Sequence, residues 1–345
     1  MDIIQNWKLW ENNITFIDED GVTVARTIAR VMPPAPWEVM ALLSFRSWLY
    51  FAMGLATWTA DSQDFNAVNL VTTELSARYG RSLSAITVSV TLTLLFRSLG
   101  AFLIGMLADI FGQKWPLFFN LGLSAALTLE NMPAEARSFF SGLLQQSYAL
   151  GYLIAAGVNL GAVPSTKVGY QIIFFVGAGF TALIAIFALL IPESHIYRDN
   201  KHITNTKSRY AGVWKDLKFA SRLYWKMVLY CVLLAMAFKW MSHGAQDVYP
   251  NYIKVQKGLG NRGASIATMI GQCGAVAGVA GEFFLQGVQN GAWGVMPVLL
   301  NEYTPPQFRG WFPGTVYQLG NMLSAPAAEI QTVSASAFLK IGKPN

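Results

Sequence analysis

Three titratable side chains stand at four-residue intervals in one stretch of this chain: Lys239, His243 and Asp247. On a helix that spacing stacks them along one face. A cation, an imidazole and a carboxylate on one face can bind a carboxylic acid and pass a proton to or from it. An apolar run from Met227 to Phe238 leads directly into the stretch, and Gln246 and Pro250 lie beside the face. Run and stretch together make about 24 residues, enough to cross a bilayer as a helix. Ionisable groups in such a helix are costly in lipid and normally face protein or a water-filled path. At the headgroup level the same residues would be inexpensive, so a buried site and a wet helix end both remain open.

Two further places carry charge inside apolar surroundings. Asp61 and Asp64 fall in the middle of a predicted span from about Trp48 to Val71. Their spacing puts both on one helix face. Either the span ends before Asp61 and both are solvated, or both face the protein interior. The apolar residues that follow, Phe65, Ala67, Val68, Leu70 and Val71, favour the interior. Arg97 lies mid-way along a second predicted span, about Ala85 to Leu107. It could hold a substrate carboxylate bidentately, or pair with Asp61 or Asp64, or alternate between them.

The elements that must position these groups follow from composition. The chain has 345 residues, 53% hydrophobic and 13% charged. A soluble domain carries about 25% charged residues, so this is a polytopic, all-α membrane protein. The net charge of +6 reads as loop charge that sets topology, not as a nucleic-acid surface. The two cysteines, Cys231 and Cys273, each lie in an apolar stretch and suggest neither a disulfide framework nor a zinc site. No cofactor or metal is expected. No nucleophile elbow, metal-ligand cluster or phosphate loop points to an enzyme. Gly177 to Ala182 fits a dinucleotide fingerprint, but it lies inside an apolar run instead of a strand-to-helix turn.

The stretch Ser242-His243-Gly244-Ala245-Gln246-Asp247, followed by Tyr249-Pro250, resembles the seventh-helix signature of the fungal Jen-type carboxylate permeases. That signature runs Asn-x-x-Ser/Thr-His-x-Ser/Thr-Gln-Asp-x-x-x-Thr. The chain departs from it at Lys239, Ala245 and Asn251. Such permeases are proton symporters for lactate and pyruvate, or for dicarboxylates, in the major facilitator superfamily. The resemblance runs over roughly residues 37–340 and implies specific roles. Arg97, Phe140, Ser141 and Gln318 would surround the carboxylate, with Lys239 added by this chain. His243 and Asp247 would carry the proton, with Asp61 and Asp64 in support. The segment from Trp58 to Phe65 and the Arg97, Ser98, Gly100, Ala101 context are similar to the family's first two helices.

Gly105 to Lys114 resembles the major facilitator loop motif between helices two and three, in which Asp109 and Lys114 serve gating and structure. Gln113 stands where a basic residue is usual. From Lys114 to Glu130 the chain is far shorter than the roughly 40 residues two spans need. Helices three and four are therefore expected to be largely missing, with the parity of later spans kept. Glu130, Pro133, Arg137, Phe140 and Gly142 recur at one constant offset as Glu302, Pro305, Arg309, Phe312 and Gly314. Such a repeat marks the two halves of a duplicated transporter. A second gap is expected in the region of helix nine, and the chain ends without a twelfth span. The bundle should thus hold about seven to nine membrane helices in place of twelve.

The expected organisation is a cytoplasmic tail over 1–37, an N-terminal helical half over 38–192, a basic cytoplasmic loop over 193–226 and a C-terminal half over 227–345. The fifth and sixth helices are placed at about Phe139 to Gly161 and about Gln171 to Ile191. The last is placed at about Trp311 to Leu339. Lys254, Lys257 and Arg262 violate the positive-inside pattern mildly. The resulting expectation is a monomeric, proton-coupled carrier of short-chain carboxylates (lactate, pyruvate, acetate or dicarboxylates) in the plasma membrane. Its partners are substrate, proton and lipid. The competing reading is a non-functional or regulatory fragment of such a permease, whose remaining polar helix faces would meet lipid.

Overall fold

The computed structural model describes residues 11–17, 23–29, 36–111, 128, 132–190, 225–226, 228–244, 246–285, 312–327, 329–331 and 333–334. The chain divides into two units, Met1–Leu42 and Leu43–Asn345.

The first unit holds more than a tail. Strands β1 (Glu11–Ile17) and β2 (Thr23–Ala29) pair antiparallel, from Glu11 opposite Ala29 to Ile17 opposite Thr23. Ile14, Thr15, Ile17, Thr23, Val24, Thr27 and Ile28 are β-branched, which suits a pleated ribbon. Apolar length, which marks membrane spans, gives no signal for a short hairpin of mixed polarity. A short helix, α1 (Pro36–Ala41), follows.

The second unit is helical. Helix α2 (Phe45–Leu70) starts at Ser44, whose hydroxyl accepts from the amide of Ser47 at 3.2 Å. The chain bends at Val71 and continues as α3 (Thr72–Tyr79). Gly80 ends α3 with φ of 59°, and Arg81 N–H bonds back to Ser76 O at 3.1 Å. Helix α4 (Leu83–Phe111) leads back along the bundle. Helix α5 (Ala134–Ser165) and, after a 3₁₀ turn at Gly169–Gln171, helix α6 (Ile172–Leu190) follow among the described residues. Further along the chain, helix α7 spans Val228–Gln256. It is interrupted at Asp247 and Val248 and ends in a π-helical turn, Tyr252–Gln256. Helices α8 (Gly260–Leu285) and α9 (Phe312–Ser324) follow.

Among the described residues, four segments are long and apolar enough to cross a membrane: Leu83–Ala101, Phe139–Ser165, Gly169–Leu189 and Val228–Gln256. Helices α2 and α8 have 26 residues each, about 39 Å at 1.5 Å per residue, and are also long enough. Helix α2 is less apolar because it is central. It buries Thr57, Thr59, Ser62, Gln63, Asn66 and Asn69 among its neighbours. Thr57 and Thr59 satisfy their hydroxyls on the carbonyls of Met53 and Leu55, each at 2.7 Å. The glycines of Gly177 to Ala182 sit inside α6, with Gly177 packed on Gln63 and Asp64 of α2.

Contacts fix the helix directions. Helix α2 runs parallel to α5: Gly54 meets Leu144, Ser62 meets Tyr148, and Ala67 and Leu70 meet Tyr152, Ala155 and Ala156. It also runs parallel to α7, with Phe65 against His243 and Asn69 against Asp247. Helix α4 is antiparallel to α9: Ser98, Thr91 and Ser84 bond to Gln318, Ala325 and Glu329 in turn. The predicted segments 115–129 and 193–226 lie, apart from residues 128, 225 and 226, outside the described residues.

Candidate functional site

Helices α2, α4, α7 and α9 bring charged and aromatic side chains together along one seam. Arg97 of α4 forms an ion pair with Asp61 of α2. Its guanidinium lies 5.6 Å from the centroid of the Phe65 ring, one turn further along α2. The His243 ring approaches the same Phe65 at 5.7 Å, edge-on. Phe65 thus stands between the fixed cation and the imidazole.

His243 and Asp247 are 5% and 6% exposed. His243 Nδ1 lies 2.9 Å from Asp247 Oδ2, as the four-residue spacing on α7 requires. Asp247 Oδ1 accepts from Asn69 Nδ2 of α2 at 3.3 Å. With Asp247 ionised, Nδ1 carries the proton and donates, which leaves Nε2 as an acceptor. His243 Nε2 and Gln246 Oε1 are buried without hydrogen-bond partners among the described residues. A buried polar atom with no partner is unfavourable until a ligand or a proton reaches it.

Lys239, one turn before His243, is buried. Its ammonium sits 4.4 Å from the centroid of the Tyr317 ring of α9, and Tyr317 packs edge-on to Trp58 at 6.1 Å. Gln318, next to Tyr317, accepts at its carbonyl from Ser98 Oγ at 2.6 Å, and its side-chain oxygen accepts from Asn321 at 2.7 Å. The structure therefore gathers Asp61, Arg97, Lys239, Gln318, His243 and Asp247.

Other expected site residues lie elsewhere. Asp64 turns to α6, where Thr181 donates to it at 3.3 Å, so the two carboxylates of α2 engage different neighbours. Phe140 is fully buried in an aromatic cluster with Trp48 at 5.5 Å, Phe51 at 4.7 Å and Phe139 at 5.3 Å. Trp48 opens α2, about 20 Å along the helix from Asp61. Phe140 and the adjoining buried Ser141 are thus not beside Arg97. Motif matching placed them by type and could not give their depth along the bundle. Asp109 falls on α4 and Arg137 on α5, while Lys114, Glu130, Glu302 and Arg309 lie outside the described residues.

The sequence reading missed Asn69, Phe65 and Tyr317. A signal for Asn69 existed: Ser62, Asn66, Asn69 and Thr73 form a polar stripe at helical spacing.

Lys254, noted only for its charge, also proves structural. Its buried ammonium donates to Leu70 O at the end of α2, and to Thr73 Oγ1 and Glu74 Oε2, each at 3.3 Å. Among the described residues no group of three or more His, Cys, Asp or Glu side chains could hold a metal ion.

A sequence family described as sugar (and other) transporter matches residues 120–210. A carboxylic acid transporter protein homologue of Saccharomyces cerevisiae is 24% identical over 385 aligned positions, covering 86% of this chain and 62% of the relative. The niacin transporter NiaP of Acinetobacter baylyi is 26% identical over 217 positions, 51% of this chain and 49% of the relative. The chain thus spans less than two thirds of the length of these relatives. The helical bundle and its polar seam agree with these similarities: over the matched stretches the chain is similar to transporters.

Proposed function

We propose that this protein carries short-chain carboxylates (lactate, pyruvate, acetate or dicarboxylates) across a membrane together with protons, by alternating access. One observation carries the reading: Arg97, held by Asp61, stands one aromatic ring away from the buried His243–Asp247 pair. A substrate carboxylate can replace Asp61 on Arg97 without leaving the guanidinium unpaired. A proton taken up at His243 Nε2 or on the carboxylates offsets the added negative charge. Carboxylate and proton entering together leave the seam's charge unchanged, which is the condition for the halves to rock. Lys239 adds a second cation that draws an anion toward the seam. Both relatives are named for carriers of acids, since niacin itself bears a carboxylate.

The same proposal places the protein in the plasma membrane as a monomer, with the N-terminus and residues 193–226 cytoplasmic. A cysteine introduced at Ser208 should then stay unlabelled by impermeant reagents outside intact cells.

Binding of radiolabelled lactate, pyruvate, acetate and succinate to the purified chain tests the substrate class. At least one should bind, and Arg97→Gln should weaken it by about two orders of magnitude. Displacement by a neutral sugar, with none of the four acids competing, would overturn the class. A second reading rests on the chain's 62% coverage of its carboxylate-transporter relative: a protein that binds carboxylate without moving it. Binding without uptake into liposomes would favour that reading.

A further inference from the structure

We propose that Asn69 is a positioning residue that holds the Asp247 carboxylate across the seam, so that protonation of Asp247 itself governs how firmly α2 and α7 stay joined. This rests on the reading that the pair is the proton site.

The orientation of Asn69 follows from a chain of donors and acceptors. Ser62 O is a carbonyl and can only accept. Asn66 Nδ2 lies 2.8 Å from it and 3.1 Å from Ser62 Oγ, so the Asn66 amide must point its nitrogen there. That turns Asn66 Oδ1 toward Asn69, whose Nδ2 is 3.5 Å away. Asn69 therefore presents N–H groups, and the second reaches Asp247 Oδ1 at 3.3 Å. The ladder is anchored at its far end, where Ser62 Oγ donates to Tyr148 O of α5 at 2.5 Å. Ser62, Asn66 and Asn69 are all 3% exposed or less. A buried ladder that runs from α5 along α2 holds one fixed donor against α7.

Asp247 then has one donor on each oxygen: His243 from its own helix, and Asn69 from the other half. A hydrogen bond to an ionised carboxylate is roughly twice as strong as one to a neutral acid. Protonation of the Asp247 carboxyl weakens the tie between halves and deprotonation restores it, whereas a proton held at His243 Nε2 leaves it in place. Other titratable groups surround Asp247. Tyr148 and Tyr152 of α5 and Lys239 of α7 lie within its electrostatic range. From α2 and α3, Asp61 is taken by Arg97 and Glu74 by Lys254.

The test uses the full chain with Asn69→Ala and Asn69→Gln, reading uptake against pH in liposomes and thermal unfolding against pH in detergent. Without the donor, the ionised carboxylate is less favoured. Both midpoints should move upward by about one pH unit in Asn69→Ala. KM at saturating proton should stay within about twofold. Asn69→Gln, which keeps an amide donor, should hold the parent's midpoint. If the alanine variant fails to fold, Asn69→Ser carries the same expectation, because its hydroxyl falls short of Asp247. An unchanged midpoint in Asn69→Ala, or an equal shift in Asn69→Gln, would overturn the role. A parent without proton-dependent uptake would instead sink the transport reading, and the unfolding midpoints would still decide Asn69.

Discussion

Helix α2 meets α5 along one side and α7 along another, and the two seams differ in kind. The α2–α5 seam is close-packed. Gly54, Ala67 and Leu70 lie on Leu144, Tyr152, Ala155 and Ala156. A Cβ on Gly151 would fall 2.7 Å from Ser62 Cβ and 2.9 Å from the Gln63 amide nitrogen, so the two backbones touch. The α2–α7 seam, continued by α3, is built from groups that can change partners: Phe65 on His243, Asn69 on Asp247, and Leu70 of α2 with Thr73 and Glu74 of α3 on Lys254. Interdigitated contacts hold helices as one body, while charge-assisted contacts can be remade when a proton or an anion arrives. The first seam is therefore suited to rigidity and the second to exchange.

The largest effect should come from breaking the close-packed seam. Gly151→Leu forces α5 off α2, so the purified yield should collapse and thermal unfolding should begin far below the parent's. A parent-like melt would mean that this seam is not what holds the half together.

Next is the charge centre of the exchangeable seam. Arg97→Gln leaves Asp61 without its partner, and carboxylate uptake should fall by about a hundredfold while the protein still folds. Retained uptake would move substrate binding away from Arg97.

A smaller effect is expected at the end of the same seam. Lys254→Met, Glu74→Gln and the double variant form a cycle in thermal unfolding. The coupling should be about 1 kcal/mol, since Glu74 is partly open to water. Zero coupling would reduce Lys254 to a cap on the α2 carbonyl.

The smallest concerns Lys239. Lys239→Asn removes a cation stacked on Tyr317, and the pH midpoint of uptake should move upward by a few tenths of a unit. Identical profiles would take Lys239 out of the site.

Much of the bundle was legible because apolar length is local information. The span expected near Trp48–Val71 is α2, Phe45–Leu70, and the one near Ala85–Leu107 is α4, Leu83–Phe111. The helix expected from Gln171 to Ile191 is α6, Ile172–Leu190. Within the site, the His243–Asp247 contact follows from spacing on one helix. The partners across helices were not legible. Asp61 and Asp64 share a face in projection, yet one turns to α4 and the other to α6. The contact of Lys239 with Tyr317 depends on how α7 lies against α9, which neither segment encodes alone. Asn69 was passed over because an uncharged amide in an apolar stretch gives a weaker signal than a charge.

The most direct measurement is uptake of radiolabelled carboxylate by liposomes containing the purified chain, with and without an inward proton gradient, for the parent and for His243→Ala. Accumulation above equilibrium is expected in the parent only when the gradient is present, with collapse on adding a protonophore and loss in His243→Ala. Equal uptake with and without the gradient, or gradient-driven accumulation that survives in His243→Ala, would contradict it.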